Sequence, residues 1–229
     1  MRAQTLSPVA GWGWILTGFA IFRRNPITLG MLVLTYWFTV VFLNVLPYVG
    51  ALLASLVIPG LSVGLMQAAR QVERGLPIGV QTLFGSMKEN GRTLIALGAL
   101  YLACTLGILG LSTLLDGGDM FRFMMSSNRA ERAALEEADF ITPALFVMAL
   151  MTPVMMAYWF APVLAAWHRL TLGRALFFSF VACWMNWRAF LVYGAGLLLA
   201  AGVIPGVLLG LLMLLFPDAA NFITAIVTM

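Results

Sequence analysis

Apolar positions in this chain come in blocks, with polar residues confined to the joints between them. Five runs, at 27–46, 51–69, 93–115, 141–167 and 189–216, contain no charged residue. An α-helix rises 1.5 Å per residue, so a hydrocarbon layer of about 30 Å needs ~20 such residues. Strands of a membrane barrel would instead alternate apolar and polar positions over about ten residues. The pattern therefore predicts an all-α, polytopic bundle of transmembrane helices. A sixth apolar stretch, 219–229, is too short to span and is expected to be an incomplete sixth helix.

The joints repeat a spacing. Phe19 precedes Asn25, Phe84 precedes Asn90 and Phe180 precedes Asn186, each by six residues, and each asparagine stands just before an apolar run. At each joint the apolar residues fall at helical spacing. Trp12, Ile15, Leu16, Phe19 and Phe22 form the first such set, Val80, Leu83, Phe84 and Met87 the second, and Leu176, Phe177, Phe180, Trp184 and Trp187 the third. Short helices of this kind, with tryptophan and basic residues nearby, suit the headgroup boundary. The reading is a single integral membrane domain, 1–229, of three units, about 9–70, 76–167 and 173–229. Each unit is an interfacial helix followed by a transmembrane hairpin. Asparagine tolerates the left-handed backbone at a helix C-terminus, so the three are expected to end the interfacial helices. The alternative is that the three amides meet a polar ligand.

Charge sharpens this picture. Of 229 residues, 62% are hydrophobic and only 10% charged, against roughly 25% in soluble domains, which excludes a soluble protein. Ten of the 13 Lys and Arg residues fall at the N-terminus and in the joints after the second and fourth runs, alongside Glu73 and Glu89. The joint at 116–140 has three arginines and six acids. Cationic segments cross membranes poorly, so the N-terminus is expected in the cytoplasm and the 116–140 loop outside. Within that loop Asn128 and Glu131 form a capping-box pattern, and Arg132 and Glu136 stand four apart. Gly11, Gly13 and Gly18 interrupt the N-terminal apolar stretch, so the first span is expected to act as an uncleaved anchor.

Candidate chemistry is sparse. No span contains an acid or base, which argues against ion-coupled transport. His168 is the only histidine, and Cys104 and Cys183 are not spaced as a metal or redox pair. No span carries a paired carboxylate and no phosphate-binding loop is present, so no catalytic residue, metal site or cofactor is expected. Pro59-Gly60-x-x-x-Gly64 and Pro205-Gly206-x-x-x-Gly210 put small residues on one helix face beside a kink, which favours close helix packing.

The segments "GWGWILTGFAIFRRNP", "LSVGLMQAARQVERGLP" and "LFGSMKENGRTLIALGALYL" resemble an uncharacterised family of bacterial inner-membrane proteins. That family is distantly similar to the membrane domain attached to some glycerophosphodiester phosphodiesterases. The resemblance implies six spans and carries no catalytic residues.

The expected function is thus non-enzymatic. A basic, aromatic cytoplasmic face would bind anionic lipid or another membrane subunit, with no role for nucleic acid. Its candidate residues are Arg23, Arg24, Asn25, Asn90, Arg92, Asn186, Arg188, Trp12 and Trp184. One alternative is a transporter or lipid translocator for a neutral or lipidic substrate, with an opening near Gly60 and Gly206. The other is an accessory subunit docking through residues 120–139.

Overall fold

The computed structural model describes residues 4–47, 49–119, 122 and 141–215, and every regular element among them is helical. Nine α-helices follow one another in these residues. They are α1 (Ala10–Arg24), α2 (Pro26–Val45), α3 (Gly50–Glu73), α4 (Val80–Asp116), α5 (Ile141–Trp159), α6 (Ala161–His168), α7 (Leu172–Met185), α8 (Trp187–Leu197) and α9 (Ile204–Leu215). A π-helical segment, Leu198–Val203, joins α8 to α9. Five stretches are long and apolar enough to cross a membrane: Pro26–Val45, Gly50–Glu73, Asn90–Asp116, Ile141–His168 and Trp187–Leu208. They coincide with the five apolar runs. Residues 120, 121 and 123–140, with the capping box, and the 219–229 tail lie outside the described residues.

The chain forms two compact units. The first, from Ile21 to Met185, is built on the pairing of α3 with α4, onto which α2, α5, α6 and α7 pack. Close approach here depends on Gly64, where a Cβ would strike the Leu83 carbonyl of α4. Two apolar clusters fill the unit. Leu29, Leu32, Leu61 and Leu83 join α2, α3 and α4, while Val63, Leu94, Leu97, Ala165 and Ala175 join α3, α4, α6 and α7. The outer face of α2 is apolar yet exposed, with Ile27, Met31, Phe38, Phe42 and Val45 all at least 60% accessible. In water such a stripe would be untenable. In a bilayer it is the lipid-facing surface.

Local sequence explains the helix ends. Gly75, at φ 70°, closes α3, with Leu76 N–H donating to the Gln71 carbonyl and Gly75 N–H to that of Val72. Pro162 cannot donate, and the long span breaks at Phe160 into α5 and α6. Helix α6 ends on Arg169, the one described non-glycine residue with positive φ, at 50°.

Among the described residues, the second unit contains 4–20 and 186–215. The first part of α1 lies along α8. A Cβ on Gly11 would meet the Ala189 carbonyl, and Trp14 sits edge-on to Phe190 at 5.2 Å and to Tyr193 at 5.9 Å. Ahead of Pro205 the helix widens into its π segment, where Ile204 N–H donates to the Leu199 carbonyl. The wider turn eases the clash between a proline ring and the carbonyl four residues back.

Candidate functional site

The three asparagines are joints of the helical framework, and their backbones correct one expectation. Their φ values are −150° at Asn25, −132° at Asn90 and −113° at Asn186, so none adopts the left-handed C-terminal cap. Asn25 opens α2 instead: its Oδ1 accepts from Thr28 N–H at 3.4 Å, and Pro26 fills the first helical position, where no N–H is needed. Asn90 kinks α4 without ending it, and its Nδ2 donates to the Ala166 carbonyl of α6 at 3.0 Å. In the second unit Asn186 precedes α8. Its Oδ1 accepts from Leu6 N–H at 2.7 Å and its Nδ2 donates to the Gln4 carbonyl at 2.9 Å. All three amides are thus engaged with backbone.

Basic side chains of the first unit gather where α1 and α3 end, α4 begins and α6 ends. Arg24 donates from Nη1 to the Glu73 carbonyl at 3.1 Å, which joins the end of α1 to the end of α3. Arg70 lies over the Trp167 ring, 4.7 Å from its centroid, a cation–π contact that fixes the guanidinium without neutralising it. Among the described residues no carboxylate pairs with Arg70, Lys88 or Arg92. Arg70, His168 and Trp167 line a cleft of about 470 Å³ together with Met66 and Glu73. A second cleft, of about 480 Å³, is lined by Lys88, Asn90 and Arg92. Between α3, α4 and α6 a smaller polar cavity of about 220 Å³ shares the Trp167 wall with the first cleft. There Thr82 Oγ1 donates to Gln71 Oε1 at 3.3 Å and Ser86 Oγ to the Gly60 carbonyl at 2.7 Å.

The structure brings together Arg24 with Glu73, and Asn90 with Arg92 and Lys88. Arg23 is exposed at the end of α1, and Trp184 stacks on Phe180 at 6.1 Å within α7 while remaining exposed. In the second unit Trp12 packs on Gly196, and Arg188 stands 5.4 Å from the Trp187 ring. Of the predicted packing glycines, Gly60 meets Met87 and Gly64 meets Leu83, whereas Gly206 and Gly210 have open space around them among the described residues. Sequence reasoning missed Arg70 and Trp167. They lie 97 residues apart, and only the α3–α6 packing unites them. A groove of about 350 Å³ lined by Pro59, Tyr101, Tyr158 and Trp159 lies beside Gly60, where the translocator alternative expects an opening, but the aromatic residues of its lining were not singled out from the sequence. No group of three or more His, Cys, Asp or Glu residues suited to a metal occurs among the described residues.

Five long apolar helices with lipid-exposed faces define a multi-pass α-helical membrane protein. The chain is 37% identical over 200 residues to a probable inner membrane protein of Burkholderia thailandensis, covering 85% of this chain and 74% of that one. It belongs to the same family of bacterial inner-membrane proteins. No protein-family profile matches it, and no solved structure does.

Proposed function

We propose that the basic end of the first unit faces the cytoplasm and binds the headgroups of anionic lipids. The reading is non-enzymatic. The observation that carries it is Arg70, held over Trp167 at the rim of an open cleft with no described carboxylate partner. A cation kept charged, fixed and unpaired at the end of a membrane helix suits a phosphate in the headgroup layer. Arg24, whose guanidinium already reaches the end of α3, and the Lys88–Arg92 cleft extend that field. Near an anionic leaflet each such cation contributes about 1 kcal/mol.

Three repeated units, six spans, an amphipathic role for α1 and α7, and the distant likeness to the phosphodiesterase-attached domain belong to this proposal. The shared position of Asn25, Asn90 and Asn186 ahead of the first, third and fifth spans supports the repeat. A second reading, a translocator of a neutral or lipidic molecule, draws on the groove beside Pro59, next to Gly60.

The test is lipid co-purification. The protein is extracted in mild detergent, and its retained lipids are quantified by mass spectrometry against the parent membrane. Phosphatidylglycerol and cardiolipin should be enriched, and the enrichment should vanish in an Arg24→Ala, Arg70→Ala, Arg92→Ala variant. Retained lipid matching the membrane average would refute the reading.

A further inference from the structure

The polar cavity between α3, α4 and α6 keeps hydrogen-bonding capacity that the protein itself does not use. Gln67 makes no hydrogen bond among the described residues, so its amide can both donate and accept. Gln71 accepts from Thr82 through Oε1 and keeps its amide NH2, while Asn90 donates to the Ala166 carbonyl and keeps its Oδ1. With Ser86 Oγ tied to the Gly60 carbonyl, these bonds hold the lining in place without exhausting it. Gln67 and Gln71 stand one turn apart on α3, six and two residues before its end at Glu73. The cavity thus lies within about 9 Å of the helix terminus, at the level of lipid headgroups.

Its chemistry restricts the occupant. The described lining carries no charge, so an ion would find no counter-charge inside. An acyl chain would leave the amides unpaired. A hydroxyl both donates and accepts, as an amide does, so adjacent hydroxyls match Gln67, Gln71 and Asn90. Trp167 supplies an aromatic wall for the C–H edges of such a molecule. At about 30 Å³ per water the volume equals about seven waters, enough for a glyceryl group. Water pairs the amides when the site is empty, and a diol replaces it without having to order side chains already held. The Trp167 ring also carries Arg70, 4.7 Å from its centroid, in the neighbouring cleft. Hydroxyls in the cavity and a phosphate beside Arg70 therefore meet at one residue, as the two parts of a glycerol phosphodiester would.

We propose that this cavity binds a glyceryl group, a neutral vicinal diol, and that its source is the terminal glycerol of a phosphatidylglycerol headgroup. The lipid source rests on the anionic-headgroup reading of the basic end; the diol site does not.

The test is native mass spectrometry of the delipidated full-length protein with three lipids of identical acyl chains: phosphatidylglycerol, phosphatidylethanol and phosphatidylethanolamine. Phosphatidylethanol has the charge of phosphatidylglycerol without the diol. Phosphatidylglycerol should bind about tenfold more tightly than phosphatidylethanol, the yield of one or two net hydrogen bonds. Gln67→Met breaks no bond within the protein and should remove most of that preference. Gly85→Leu fills the cavity from α4, where a Cβ meets nothing, and should abolish it. Phosphatidylethanol bound no better than phosphatidylethanolamine, with phosphatidylglycerol still preferred, would refute the basic-end reading while supporting the cavity. Free glycerol is the other source of the same group. Thermal stabilisation by glycerol that is larger in the wild type than in Gln67→Met would assign the site to the free polyol, and equal stabilisation beside the lipid preference assigns it to the lipid. Equal binding of phosphatidylglycerol and phosphatidylethanol, together with equal glycerol stabilisation, overturns the proposal. So does a phosphatidylglycerol preference that survives either substitution intact.

Discussion

Ser179 repairs the break at Phe160. Its hydroxyl accepts from the Phe160 N–H at 2.9 Å and donates to the Met156 carbonyl at 2.9 Å. These are the donor and acceptor that a continuous helix would join directly, residue i to i−4. The hydroxyl of α7, fully buried, is therefore spliced into the ladder of the broken span. Membrane interiors tolerate such breaks where a neighbouring helix satisfies the freed groups.

Ser179→Ala should destabilise the protein by about 2 kcal/mol, since it takes their shared hydroxyl partner from two part-buried backbone groups. The loss should shrink in a Pro162→Ala background, where α5 and α6 can straighten and remake the direct bond. Reversible unfolding in mixed micelles measures both, and equal losses in the two backgrounds would refute the splice.

Two glycine pairs of the same spacing should behave oppositely. Gly64→Ala drives a Cβ into the backbone of Leu83 and should cost about 1–3 kcal/mol. Gly206→Ala meets nothing among the described residues and should be neutral, or stabilising by up to about 1 kcal/mol through helix propensity. Unfolding midpoints of the two variants check the contrast.

Much of this framework is legible in the sequence, because a membrane span needs only length and apolarity, and both are local. The five spans follow directly. The asparagine roles do not, since asparagine suits a helix N-cap and a left-handed C-cap alike. Asn25-Pro26 fits the N-cap reading equally well, with proline at the first helical position. Left-handed residues close helices at Gly75 and Gly117 instead, and at Arg169, a residue with no intrinsic preference for that backbone. Ser179 is illegible for another reason. Its partners are set by helix packing across 19 or more residues, and they leave no local pattern.

Asn186 should matter more than Asn25. It holds two backbone groups of the N-terminal segment, whereas Asn25 accepts one long bond. Asn186→Ala should raise the hydrogen-exchange rate of the Leu6 amide about tenfold, the equivalent of one hydrogen bond. Asn25→Ala should change that of Thr28 less.

Cys183 is buried in α7, and burial pushes its thiol up from 9.0 to about 11. Near pH 8 the folded chain therefore holds roughly a hundredth of the thiolate that the unfolded chain does. Maleimide labelling of Cys183 should be at least about a hundredfold slower in mild detergent than in denaturing detergent, by mass spectrometry. Because the folded chain retains this proton longer, stability should fall as pH rises from about 9 to 11.

Lipid selectivity at the basic end decides the proposed function. The decisive experiment titrates delipidated protein with phosphatidylglycerol and phosphatidylethanolamine under native mass spectrometry. Phosphatidylglycerol should be preferred about tenfold by the wild type, and not at all by Arg24→Ala, Arg70→Ala, Arg92→Ala protein of unchanged thermal stability. Equal affinity for the two lipids in the wild type would contradict a headgroup site there.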